Sequence, residues 1–204
     1  MRTYDGAMAL LHRATLSPTK LELMTDWLPR QDWWAGGPIG RVASYRFDDP
    51  DGEVGVETTL TRGGDAVYQV PQTYRAAPLP DAERWLVGTS EHSVLGKRWI
   101  YDAAGDPVYA AALARAVRTG EGQAREYFEE NGVREYRPSS LEIAVGEPGT
   151  ALPSDVDGVT LVVDGLELLV VRRLDPAGAL SGAVLTGTWT GQEEPVALVY
   201  GRRL

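Results

Sequence analysis

Gly88-Thr89-Ser90-Glu91-His92-Ser93-Val94-Leu95-Gly96-Lys97-Arg98-Trp99-Ile100-Tyr101-Asp102-Ala103-Ala104-Gly105-Asp106-Pro107 is the stretch on which the reading of this chain turns. It packs a histidine, three carboxylates, two bases, two aromatics and three glycines into one short run. The contents suit an active site, but the order suits a strand followed by a helix. From Gly96 to Asp102 the residues alternate, with Trp99 and Tyr101 on one face and Arg98 and Ile100 on the other. Asp106 caps the helix that follows, and Pro107 fits its first turn, where a missing N–H costs nothing. Neighbouring residues of a strand face opposite ways, so Ser93 and His92 diverge and do not make a triad. A metal site needs three or four converging ligands, and the chain offers two histidines, His12 and His92, and no cysteine. A His12, His92 and carboxylate site stays open beside the commoner use of histidine in local hydrogen bonds. No metal and no cofactor are expected.

Upstream, Ala7 to Leu16 reads as a strand or extended arm. Ser17-Pro18 reads as a helix start, Leu21, Met24, Trp27 and Leu28 form a buried stripe at helical spacing, and Pro29 ends the helix. Trp33 and Trp34 sit in a loop with Gly36-Gly37-Pro38. Two adjacent tryptophans make a sugar-stacking platform, or one is core and the other covers it. Three strands follow, Arg41 to Phe47, Glu53 to Leu60 and Ala66 to Tyr74, separated by turn signals, so the pattern is an antiparallel meander. Pro71 belongs at an edge or bulge, because it cannot donate to a ladder. Asp49 and Asp51 have the first spacing of a calcium loop, but Gly52 comes too early and no closing glutamate follows, which leaves a plain turn.

Downstream, Asp106 to Thr119 is the clearest helix, ended by Gly120. A second helix is read over about Gln123 to Glu130. Arg134 to Pro153 is a connection with one short strand, Leu141 to Val145. The tail then holds four strands, with Asp164-Gly165 as a strong hairpin turn between Val159–Val163 and Leu166–Arg173. The other two are Val184 to Trp189 and Val196 to Tyr200. The expected class is α+β, with about four antiparallel strands on a helix and a small all-β unit after it. The expected division is residues 1–133 and 134–204.

Composition excludes several function classes. The formal net charge is −9, which argues against nucleic acid and against anionic membrane surfaces. No apolar run approaches the ~20 residues of a membrane span. Met1-Arg2-Thr3-Tyr4-Asp5-Gly6 lacks a signal-peptide pattern, and with no cysteine the expectation is a cytoplasmic protein. Kinase machinery is missing: there is no lysine after Lys97, no Gly-rich nucleotide loop and no Asp-Phe-Gly. Glu53 and Glu57, four apart on a strand, lie ~13 Å apart, too far for a glycosidase pair.

The same residues carry a resemblance. Glu91 to Asp102 with Asp106-Pro107-Val108, Thr15 to Leu23, Trp27-Leu28-Pro29, Phe47-Asp48-Asp49-Pro50, Gly52 to Glu57 and Tyr68 to Arg75 together resemble the maltokinase N-terminal cap domain, in order and spacing, over about residues 8 to 130. The resemblance implies a curved sheet wrapped on a helix, cystatin-like in outline. In maltokinases this cap precedes a two-lobed kinase, and this chain ends where the kinase would begin. It therefore resembles stand-alone cap-like proteins, some of which carry a glucan-branching label that this sequence does not support. The implied function is a non-catalytic module in α-glucan, maltose or aminosugar phosphorylation, with a sugar kinase or glucan-pathway enzyme as partner. The rival reading is a small-molecule pocket near Trp33, Trp34, His92, Trp99 and Tyr101. Candidate ligand or partner contacts are Trp33, Trp34, Glu91, His92, Lys97, Arg98, Trp99 and Tyr101.

Overall fold

In the computed structural model, alternating short apolar runs among the described residues become fifteen strands, and the two capped apolar stripes become helices. The structure describes residues 7–204, so the reading of the N-terminal six residues lies outside it. In chain order the elements are β1 (Met8–Leu11), β2 (Leu16–Ser17), α1 (Lys20–Trp27), β3 (Ile39–Phe47), β4 (Gly55–Gly63), β5 (Ala66–Arg75), β6 (Leu86–His92), β7 (Gly96–Asp102) and α2 (Pro107–Thr119). Then come β8 (Arg125–Glu130), β9 (Val133–Tyr136), β10 (Leu141–Val145), β11 (Gly158–Val163), β12 (Leu166–Val171), β13 (Arg173–Leu174), β14 (Ala183–Trp189) and β15 (Gln192–Arg203). Strand outweighs helix, 49% to 15%, so the α+β class holds in a mostly β form.

The main sheet curls and is seven-stranded, in the order β2-β6-β7-β5-β4-β3, with β13 pairing onto β5. The expected four strands are β7, β5, β4 and β3, which run from the middle of the sheet to one edge; β6, β2 and β13 were not foreseen. Each face carries one helix. Leu23, Met24 and Trp27 of α1 pack with Val70, Val87 and Ile100. On the other face, Tyr109 and Leu113 of α2 pack with Tyr45, Phe47 and Leu60. That second core continues without a break into Leu168, Leu185 and Leu198 of the tail sheet, whose order is β10-β14-β15-β12-β11. The expected division at 133/134 falls at the first residue of β9.

Helix ends follow local chemistry. Asp106 caps α2 through the Val108 amide at 2.9 Å, and Gly120 closes it in the left-handed region at φ 71°. α1 starts two residues later than expected. Thr19, not Ser17, is its cap, in a reciprocal box with Glu22, as the Thr-x-x-Glu spacing allows. Residues 125–130, expected as helix, form β8, which pairs in parallel with β1 and antiparallel with β9. The Asp164-Gly165 turn forms with both residues at positive φ, 52° and 75°, as a tight hairpin turn requires.

Pro71 shows how the main sheet tolerates a proline. The Gln69 amide donates to the Arg172 carbonyl, and residues two apart point their backbone groups to the same side. Pro71 therefore faces the gap where β5 changes partner, from β13 at Val67 and Tyr68 to β7 at Gln72–Arg75. It is a local edge inside the sheet.

Candidate functional site

The expected aromatic cluster divides between the two faces of the main sheet. Ile100 packs with α1, so Trp99 and Tyr101, its neighbours along β7, face the opposite side. Trp33 and Trp34 lie on the α1 face. Trp33 meets Trp27 edge-on at 5.9 Å, and Trp34 stacks on Tyr68 at 4.6 Å. A Cβ at Gly63 would run into the Trp34 indole, so glycine there is what lets the ring lie against the strand. Tyr68 and Arg75, the latter opposite Trp99, are seven residues apart, ~23 Å along β5. The structure therefore does not gather Trp33, Trp34, His92, Trp99 and Tyr101 around one pocket.

Each remaining candidate has a local partner. His92 Nδ1 accepts from the amides of Val94 and Leu95, at 3.2 and 3.0 Å, and so fixes the β6–β7 turn. Its ring meets His12 edge-on at 5.8 Å. Partial burial, then His12, Arg98 and Lys20, lower its pKa, which favours the neutral ring that turn needs. Glu91 is exposed and stands opposite Lys97 in the β6–β7 ladder. Lys97 lies over Trp99 at 5.0 Å. Arg98 donates to the Leu95 carbonyl at 2.6 Å. The Tyr101 hydroxyl accepts from the Leu79 amide at 2.9 Å.

Among the described residues four carboxylates are buried, Asp49, Glu57, Asp102 and Asp106, and each is held. Asp49 accepts from the amides of Asp51, Glu53 and Val54, which is the plain turn rather than a calcium loop. Asp106 joins its capping bond to a two-pronged pair with Arg75, both 2.6 Å, and to the Thr73 hydroxyl at 2.7 Å. Burial would raise the Asp106 pKa, and Arg75 and Thr73 outweigh it to leave it lowered. Glu57 lies between Lys20 of α1 and Arg46 of β3. Burial again acts upward, and the two cations outweigh it to bring Glu57 from 4.5 to about 2.

Asp102 takes two bonds from Arg172, at 2.7 and 2.5 Å, with both side chains buried. The Arg172 guanidinium lies 5.0 Å from the Trp33 ring centre, so one ion pair ties the opening stretch, the tryptophan loop and the tail together. Gln69 makes a second tie. Its amide donates to the Val171 and Leu198 carbonyls, both at 2.9 Å, and its oxygen accepts from the Tyr45 hydroxyl at 3.1 Å. Sequence reading missed Arg172, Gln69, Lys20 and Arg46, because their partners stand on other elements, from the next strand for Arg46 to the far end of the chain for Gln69. The one usable signal was Arg172, a charge directly after the apolar run Leu168-Leu169-Val170-Val171.

Open depressions among the described residues include two. One, about 580 Å³, runs along Trp34 to Ile39 beside Thr25 and Pro29. The other, about 520 Å³, lies between Trp27, Trp85 and Asp102 on one side and Val159–Leu161 on the other. The one carboxylate that lines them, Asp102, is paired with Arg172. Trp85 lies against Gly105 on one side and carries Arg84 over its ring at 4.9 Å.

The fold and these paired charges define a β-rich α+β module in which the buried carboxylates serve structure. Residues 27–106 match the sequence model of the maltokinase N-terminal cap domain. The match runs from the last residue of α1 to the capping Asp106, over β3 to β7, and is narrower than the 8-to-130 span of the resemblance. No curated protein matches the chain.

Proposed function

We propose that this chain is a non-catalytic accessory module that works by binding a protein partner in sugar phosphorylation, a sugar kinase or glucan-pathway enzyme, in the cytoplasm. The observation that carries the reading is the cap-domain match over residues 27–106. Its chemistry agrees, since the buried carboxylates within that stretch are held by cations or backbone amides. A cap of this kind acts by shape and contact. The curled sheet with α1 on one face supports reading it as the cystatin-like outline that the resemblance implies.

Affinity capture tests the proposal. The tagged chain is used as bait in lysate of its own host, with mass spectrometry as readout. The expected result is selective recovery of a carbohydrate kinase or glucan-pathway enzyme. Recovery no different from an unrelated acidic bait would contradict it.

A further inference from the structure

We propose that the depression between Trp27, Trp85 and β11 is a binding site for a small anionic sugar, one that carries a phosphate or a carboxylate beside its hydroxyls. Its volume, about 520 Å³, lies within the roughly 300–1,000 Å³ of small-molecule sites. Such sites combine apolar walls with a few placed polar groups. Trp27, Trp85 and Leu161 supply walls here, and Gln31, Arg84, Asp102 and Thr160 supply the polar groups. They come from the end of α1, the single helical turn Glu83–Trp85, the end of β7 and the middle of β11.

The tryptophan wall is set in place before any ligand arrives. A Cβ at Gly105 would stand 2.1 Å from the Trp85 indole, so glycine there lets the ring lie close against the chain. Arg84 lies over the same ring at 4.9 Å, which holds its guanidinium at the rim.

Charge selects an anion. Arg84 is exposed and, among the described residues, makes no ion pair. Asp102, the carboxylate in the lining, is already neutralised by two bonds from Arg172. Arg172 is 1% exposed and keeps its Nε and Nη1 without a partner, so donors outnumber acceptors behind that wall too. The lining thus holds one uncompensated charge, and it is positive.

The other polar groups select hydroxyls. A carboxylate has about four acceptor sites. Arg172 and the Ala104 amide fill three of those on Asp102. Gln31 spends one N–H on the Trp27 carbonyl at 3.2 Å, and its oxygen accepts only. A bare anion would set acceptor against acceptor at Asp102 and Gln31. A hydroxyl both donates and accepts, so it satisfies Asp102, Gln31 and the Thr160 hydroxyl while the anionic group pairs with Arg84. The inference needs only this chain, so it can fail while the partner reading stands.

Calorimetric titration of the purified full chain tests it, with glucose 6-phosphate, glucuronate, glucose and inorganic phosphate as probes. Arg84→Gln and Thr160→Val change exposed residues, and circular dichroism checks that both variants fold. At least one of the two anionic sugars is expected to bind, with glucose and inorganic phosphate about ten-fold weaker or more. Which of the two binds tells phosphate from carboxylate. Arg84→Gln should weaken that binding about ten-fold or more, and Thr160→Val about five-fold. Neither anionic sugar binding more tightly than about 10 mM would overturn the proposal. So would binding unchanged in Arg84→Gln, or inorganic phosphate or glucose bound as tightly as the anionic sugar.

Discussion

Replacing Glu57 with glutamine keeps the shape of the side chain and removes its charge. Glu57 is 7% exposed and joins Lys20 of α1 to Arg46 of β3, so it fastens the helix to the sheet. A fall from 4.5 to about 2 in its pKa corresponds to roughly 3 kcal/mol of stability. Lys20 is 34% exposed and regains water in the variant, which brings the expected loss to about 2–3 kcal/mol. The sign is set by a folded-state pKa below the unfolded one. The contribution is full above 4.5, shrinks as pH falls below it, and is gone below about 2. Urea unfolding of both proteins, from neutral pH down through that window, measures it. The wild type is expected to lead near neutrality, with the two curves converging in acid. A difference below ~0.5 kcal/mol at neutral pH, or one that does not change with pH, would refute the reasoning.

Two other perturbations probe the same frame. Asp106→Ala removes the cap of α2 and leaves Arg75 without its carboxylate; about 3–4 kcal/mol should be lost, read as a lower urea midpoint, and a loss under ~1 kcal/mol would mean that only the cap mattered. A chain cut after Gly146 loses β11 to β15, which cover Leu60 and Tyr45 and hold the partners of Gln69 and Asp102. On the proposal that residues 134–204 fold with the cap, the cut chain should give a broad melt at lower temperature. A sharp melt at the full-length temperature would show an independent cap.

What could be read from sequence was what is decided locally. Asp106-Pro107 and Gly120 set the ends of α2 within one turn, and Asp164-Gly165 set a hairpin, so both were legible. Residues 125–130 are Arg-Glu-Tyr-Phe-Glu-Glu, good helix formers, and became β8 because β1 and β9 offer it ladders on both sides. Local propensity does not record an offer made by residues 8–11. β6 hid because Gly88-Thr89-Ser90 breaks up its apolar signal, while Gly88 lets Leu23 of α1 lie against the strand. In the candidate site, the alternation of Trp99 and Tyr101 against Ile100 was plain. Which face α1 would take was not, and that choice parts the tryptophan loop from Trp99. Asp102–Arg172 and Glu57–Lys20 join positions whose partners no spacing rule connects.

On the proposed function, this chain assists an enzyme and performs no sugar chemistry itself. It is tested most directly by adding the purified chain, in stoichiometric steps, to the enzyme recovered by affinity capture and following sugar phosphorylation through ADP release. A saturating change in that enzyme's kcat/KM is expected, with no ADP from the chain alone. Turnover by the chain alone, or a partner whose kinetics do not respond to it, would contradict the claim.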